Sequence, residues 1–167
     1  MQTGHSLGHL YRAGPWIDTK YFRPAVDGPV TGSEAVAALL ADPEYRDHYC
    51  SPENNSAGGE LHGPYWADRI TAADFTEPSE AECQAILTAW WQQWGTDEDT
   101  PTERAQADAV LNEALALVHR ATYRLYLRDM RSEAEHDWGW VLGFGGFHEF
   151  VLVDPDGGIS LVVASDD

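Results

Sequence analysis

The chain has 167 residues, 43% of them hydrophobic, which is enough for a single domain to bury its own core without disulfide bonds. Ten basic and 28 acidic residues leave a formal net charge of −18, and this negative field disfavours binding to nucleic acid or to anionic membrane surfaces. Because the sequence contains no bilayer-length apolar run and no signal-like start, we expect a cytoplasmic protein whose cysteines, Cys50 and Cys83, are free thiols.

The first third of the chain contains one predicted helix and one predicted loop. Thr31 and Glu34 have the spacing of a capping box, and Pro43 ends the apolar pattern, so the sequence predicts a helix over 33–41. Residues 50–64 contain almost nothing apolar, and this composition favours a mobile loop.

A second helix is predicted from about residue 80 to Gly95. Ser79 and Glu82 form another capping-box pattern, with Pro78 just outside it. Trp91 lies beside the apolar stripe rather than in it, which makes it a candidate anchor for a protein interface. The stripe itself consists of Cys83, Ile86, Leu87, Trp90 and Trp94.

A third and longer helix is predicted over 101–130. Thr100 fits the N-cap, Pro101 the first helical position and Glu103 the capping box, and no later Gly or Pro interrupts the chain before Gly139. At helical spacing, Tyr123 and Tyr126 fall outside the main apolar stripe. The end of this helix would therefore be apolar on two sides, either sandwiched between other elements or in contact with a partner.

The C-terminal part reads as an antiparallel meander. Glycines at 145–146 and a turn at 154–157 separate three apolar runs, which predict strands over 138–144, 147–154 and 159–164. His148 and Glu149 are neighbours in the middle strand, so their side chains should point to opposite faces. The predicted fold is α+β: one domain over 1–167, with an N-terminal helical part packed on a three-stranded C-terminal meander.

Four arginines follow one another at spacings of four, four and three, from within the predicted long helix to just past its end: Arg120, Arg124, Arg128 and Arg131. On a helix they would share one side, and such charges need carboxylates or a bound anion near a core. Internal pairing with some of the 28 acids is the simpler interpretation. The alternative is an anion pocket for a carboxylate or phosphate, formed by Arg120, Arg124 and Arg128.

Motifs for catalysis, metal binding and cofactor binding are missing from the sequence. His119, His136 and His148 do not match a zinc-ligand spacing, and the glycines at 143–146 lie between two predicted strands rather than before a helix. We therefore expect no cofactor and no metal, and we favour a binding protein over an enzyme.

The sequence-based hypothesis for function depends on charge. The leading hypothesis is a small acidic cytosolic protein that neutralises or escorts a basic protein, as an immunity protein or inhibitor does with a bacterial toxin domain. The alternatives are a small-anion-binding protein or enzyme that uses the arginines, and a homodimeric structural subunit that associates near Tyr123 and Tyr126. The candidate partner-binding residues are Trp91, Asp97, Glu98, Asp99, Asp166 and Asp167.

Overall fold

A six-stranded antiparallel sheet separates two helical layers. The computed structural model describes residues 2–9, 14–24, 28–49, 59–94, 100–136 and 145–166. The strands run in the order β1-β2-β8-β7-β6-β5, and β3 and β4 form a separate hairpin. Their bounds are β1 Gln2–His9, β2 Trp16–Phe22, β3 Leu61–His62, β4 Tyr65–Trp66, β5 Phe75–Thr76, β6 Tyr123–Leu127, β7 His148–Val153 and β8 Ile159–Ser165.

Three of the four described α-helices begin at the capping boxes that the sequence predicts. Thr31, Ser79 and Thr100 each accept a hydrogen bond from the backbone N–H three residues on, and the glutamate there bonds back to the cap. The helices are α1 Gly32–Ala41, α2 Glu80–Gln92, α3 Pro101–Arg120 and α4 Arg131–Ala134.

The two faces of the sheet bury two separate cores. On one face, Trp16, Val151 and Leu161 pack with α1 and with aromatic residues from the segments around 45 and 65. On the other face, Phe150 and Val162 pack against α2 and α3. The side chains of β7 and β8 are almost entirely buried, because both strands lie inside the sheet and are covered on both faces.

The predicted helix over 101–130 is wrong beyond its first twenty residues. Helix α3 ends at Arg120, because Ala121 is extended (φ −64°, ψ 137°) and the Thr122 N–H donates to the Val153 carbonyl at 2.7 Å. Strand β6 follows, with Leu125 and Leu127 buried on one face. Strand β6 forms backbone hydrogen bonds with both β5 and β7, and this pairing outweighs the helix propensity of the segment.

The predicted three-stranded meander is also wrong, although its second and third strands are confirmed as β7 and β8. Strand β8 pairs with β2, and β7 pairs with β6, so strands from earlier in the chain complete the sheet. The expected first strand, over 138–144, lies outside the described residues. The α+β class itself is confirmed.

The end of the expected loop at 50–64 has regular structure. Leu61 and His62 form β3 and are buried, whereas residues 50–58 lie outside the described residues. Among the described helices, none combines the length and apolar character required to cross a membrane.

Candidate functional site

Only two of the predicted partner-binding residues fall in the described part of the chain. Trp91 is half-buried and packs against the core of α2 and α3. Asp166 is 1% exposed, and its Oδ1 accepts a hydrogen bond from the Gly145 N–H at 3.0 Å, so this carboxylate faces the protein rather than a partner. The others lie outside the described residues: Asp97, Glu98, Asp99 and Asp167.

The four arginines do not form a ladder, because the helix that would align them ends at the first of them. Arg120 pairs with Asp154 at 3.2 Å, and Arg124 pairs with Glu80 at 3.4 Å. The other two are also held by carboxylates of this chain, through the pairs Arg128–Asp74 (2.7 Å), Arg128–Glu133 (2.6 Å) and Arg131–Asp129 (2.6 Å). Internal pairing thus accounts for all four guanidinium groups.

The core beneath the β3–β4 hairpin contains a fully buried acid–base pair. Glu149 in β7 is 0% exposed, and its Oε2 lies 2.5 Å from His62 Nε2, while its Oε1 accepts a hydrogen bond from the Tyr45 hydroxyl at 3.0 Å. His148 points to the other face and bonds the Tyr126 hydroxyl at 2.9 Å, as strand alternation predicts. Burial, reinforced by the Glu149 charge, raises the pKa of Tyr45 well above its ordinary value.

Both nitrogens of His62 lie against oxygen atoms of this chain. Its Nδ1 donates to the Tyr45 carbonyl oxygen at 2.5 Å, and its Nε2 lies 2.5 Å from Glu149 Oε2. The ring also stacks on Tyr45, with centroids 3.9 Å apart, and contacts the edge of Phe147. We conclude that His62 helps to fix the fold at this position, since both ring nitrogens are engaged inside the protein and neither is open to a substrate or a metal.

A second, half-buried pair lies on the same face of the sheet. Lys20 is 3% exposed, and its Nζ donates to Asp47 Oδ2 at 2.5 Å and lies 4.9 Å from the Tyr49 ring centroid. Burial alone would raise the pKa of Asp47, but the Lys20 charge and hydrogen bonds lower it. Burial raises the pKa of Asp18, although His5 contacts its carboxylate.

These pairs anchor the surface segments above them. The segment around Tyr45 and Asp47 is tied to the sheet through Glu149 and Lys20, and the Gly63 N–H donates to the Asp47 carbonyl at 2.8 Å. The β3–β4 hairpin is therefore held from below by the His62–Glu149 contact and from the side by backbone hydrogen bonding.

A hollow of about 360 Å³ opens at the surface beside this hairpin, lined by Arg46, Glu60, Trp66 and Asp68. Arg46 Nη1 donates to the Gly59 carbonyl at 2.8 Å, and the half-buried Trp66 ring makes an edge contact with His136 at 5.7 Å. Glu60 and Asp68 are exposed and form no ion pair with any described residue. We call these four residues the Trp66 hollow.

The Trp66 hollow does not follow from any sequence motif. Its residues come from both sides of 50–58, and two of them flank a hairpin whose polar composition resembles a loop. The available signal was the Tyr65-Trp66 pair, two large aromatic residues with an acid on either side of the hairpin.

Among the described residues, no group of three or more His, Cys, Asp or Glu side chains is arranged to hold a metal ion. Cys83 is a free, buried thiol, and burial raises its pKa to about 11, which leaves little reactive thiolate near neutral pH. Comparison of the chain with protein-family models, curated proteins and solved structures finds no match.

Proposed function

We propose that this protein binds a basic protein through its acidic surface and thereby neutralises or escorts that partner, as an immunity protein or inhibitor does. The observation that carries the proposal is the distribution of ion pairs. In the described part of the chain, Lys20 and most arginines form ion pairs with carboxylates of this same chain. The acidic residues in excess of these pairs therefore provide the uncompensated charge on the surface. Exposed acids without an ion pair to any described residue include Glu44, Glu60, Asp68 and Glu77.

The physical consequence is fast association with a positively charged surface. Complementary fields steer partners together and raise the association rate constant, by up to about 10³-fold over uncharged encounters at low salt. Cytoplasmic location is part of the proposal, in keeping with the free thiol of Cys83.

Titration of the protein against a panel of small basic proteins at low and high salt tests this function. We expect at least one member to bind at low ionic strength, with an association rate constant that falls as salt rises. The matched control is the same basic protein after succinylation, which reverses its lysine charges and should abolish binding. Failure of every basic protein to associate, or binding that salt leaves unchanged, contradicts the proposal.

Neither alternative function keeps the feature on which it was based. The anion pocket required three arginines on one side of a helix, whereas each is ion-paired and only Arg120 is helical. The dimer required a helix end that is apolar on two sides, whereas Tyr126 lies in a strand paired on both edges and packs on Phe150, with ring centroids 5.0 Å apart.

A further inference from the structure

We propose that the Trp66 hollow receives one basic side chain, arginine or lysine, from a peptide segment of the partner. This inference rests on the proposed function and adds to it the position where the partner is anchored. Two acidic residues and one arginine line the hollow, together with Trp66. A cation near an indole face and two carboxylates gains both cation–π and ionic attraction.

Arg46 determines which kind of cation fits. One of its N–H groups is bound to the Gly59 carbonyl, and its other donors have no partner among the described residues. A bare metal ion or a free ammonium ion would meet this positive charge without compensation. A basic residue within a peptide also brings a backbone carbonyl, which can accept a hydrogen bond from Arg46. The hollow therefore favours a peptide-borne cation over a bare one.

The position of the hollow makes it a suitable anchor, because its walls are held before binding. The Glu60 carbonyl accepts a hydrogen bond from the Ala67 N–H at 2.9 Å, which closes the hairpin that contains Trp66 and that Asp68 follows. The buried His62–Glu149 pair fixes the same hairpin to the sheet. Walls that are already ordered lose little conformational entropy on binding, and this raises affinity for a given set of contacts.

Binding of an acetylated, amidated hexa-arginine peptide, measured by calorimetry and by stopped-flow kinetics, tests the site. We expect Asp68→Asn to weaken binding about tenfold, mainly through faster dissociation. The matched control is Asp108→Asn, which removes the same charge from α3 on the opposite face of the sheet. This control should change affinity less than about threefold, mainly through slower association.

Two further variants separate the contribution of the indole ring to peptide affinity from the contribution of charge. Trp66→Leu should weaken peptide binding about tenfold, whereas Trp66→Phe, which keeps an aromatic face, should retain most of the affinity. Guanidinium chloride at the same cation concentration should compete poorly with the peptide. Thermal melts of each variant identify any loss of folding, and Asp68→Asn, an exposed change, keeps the test valid if Trp66→Leu unfolds.

The outcomes distinguish this inference from the function on which it rests. Equal weakening by Asp68→Asn and Asp108→Asn would overturn the anchor site, while binding of the wild-type protein to basic proteins would still support the proposed function. If the wild-type protein binds neither the peptide nor any basic protein, both proposals are wrong.

Discussion

At the scale of single residues, Glu149 places a carboxyl group with no solvent contact inside the core. A buried carboxyl group is tolerated only when polar partners within the protein replace water, and here His62 and Tyr45 supply them. All three residues come from distant parts of the chain. Their contacts therefore exist only when the sheet, the segment around 45 and the β3–β4 hairpin are assembled together.

Glu149→Gln should lower the free energy of unfolding by about 3 kcal/mol, because it disrupts the buried contact between Glu149 and His62. Tyr45→Phe is the matched control, since it removes one hydrogen bond to the same carboxyl group and leaves the contact with His62; we expect a loss of about 1–2 kcal/mol. Urea unfolding followed by circular dichroism measures both. A Glu149→Gln protein as stable as the wild type would show that the pair contributes nothing to the fold.

The contacts of Glu149 with His62 and Tyr45 show why the sequence alone does not predict this buried network. The sequence shows His148 and Glu149 as neighbours, and strand alternation correctly places them on opposite faces. Alternation does not reveal the partner of either side chain, because that depends on which segment crosses the face. The partner of Glu149 lies 87 residues away, in a stretch whose composition is typical of a loop.

At the scale of elements, the β3–β4 hairpin depends on a glycine in its turn. Gly63 has a φ of +52°, and a Cβ built there would lie 2.2 Å from the Phe147 ring. The backbone conformation and the close contact both require the absence of a side chain. Phe147 is itself buried, so it has little freedom to move aside.

Gly63→Ala should therefore destabilise the protein by about 2–4 kcal/mol, through strain and overpacking together. Gly59→Ala isolates the backbone contribution, because Gly59 also has a positive φ, +90°, but its Cβ would meet nothing within 4 Å. For this control we expect a loss of about 1 kcal/mol. Chemical denaturation of the two variants gives the comparison, and equal losses would rule out the Phe147 contact as the cause.

Local sequence patterns predict where the helices begin but do not predict strand β6. Capping boxes located the starts of α1, α2 and α3, because a cap depends on residues within one turn. The absence of Gly and Pro predicts that the helix continues over 121–130, yet β6 forms there. Its identity depends on hydrogen bonding with β5 and β7, which no local pattern records.

For the whole molecule, buried tyrosines predict loss of stability at high pH. Burial raises the pKa of Tyr65 and of Tyr126 from 10.0 to about 12, so each hydroxyl stays protonated in the folded state after it ionises in the unfolded chain. Their contribution to stability is fully present below pH 10 and is lost as pH rises toward 12. Tyr45 and Tyr49 act in the same direction, since burial also raises their pKa values.

We expect the free energy of unfolding to fall above about pH 10, with each such tyrosine contributing up to about 1.4 kcal/mol per pH unit. Urea unfolding in steps from about pH 8 to about pH 11 measures this slope. Tyr126→Phe is the control: it loses the hydrogen bond to His148 and some stability near neutral pH, but its alkaline slope should be shallower. An unchanged slope would assign the alkaline loss to other groups.

The net charge of −18 makes a second prediction for the whole molecule, one that concerns the isolated protein rather than its partner. Exposed carboxylates without a cation repel one another across the surface, and salt screens that repulsion. The internal pairs respond in the opposite sense but only weakly. Arg23–Asp156 is largely exposed and contributes little at any salt concentration, and the Lys20–Asp47 pair, whose ammonium group is buried, is screened less than an exposed pair.

Repulsion should therefore dominate, and the melting temperature should rise by about 2–5 °C between about 10 mM and about 300 mM sodium chloride. Glu77→Gln tests the cause, since Glu77 is exposed and unpaired among the described residues. The variant should melt higher than the wild type at low salt, and the difference should shrink as salt is added. A melting temperature that falls with salt would mean that the internal ion pairs outweigh the repulsion between surplus acids.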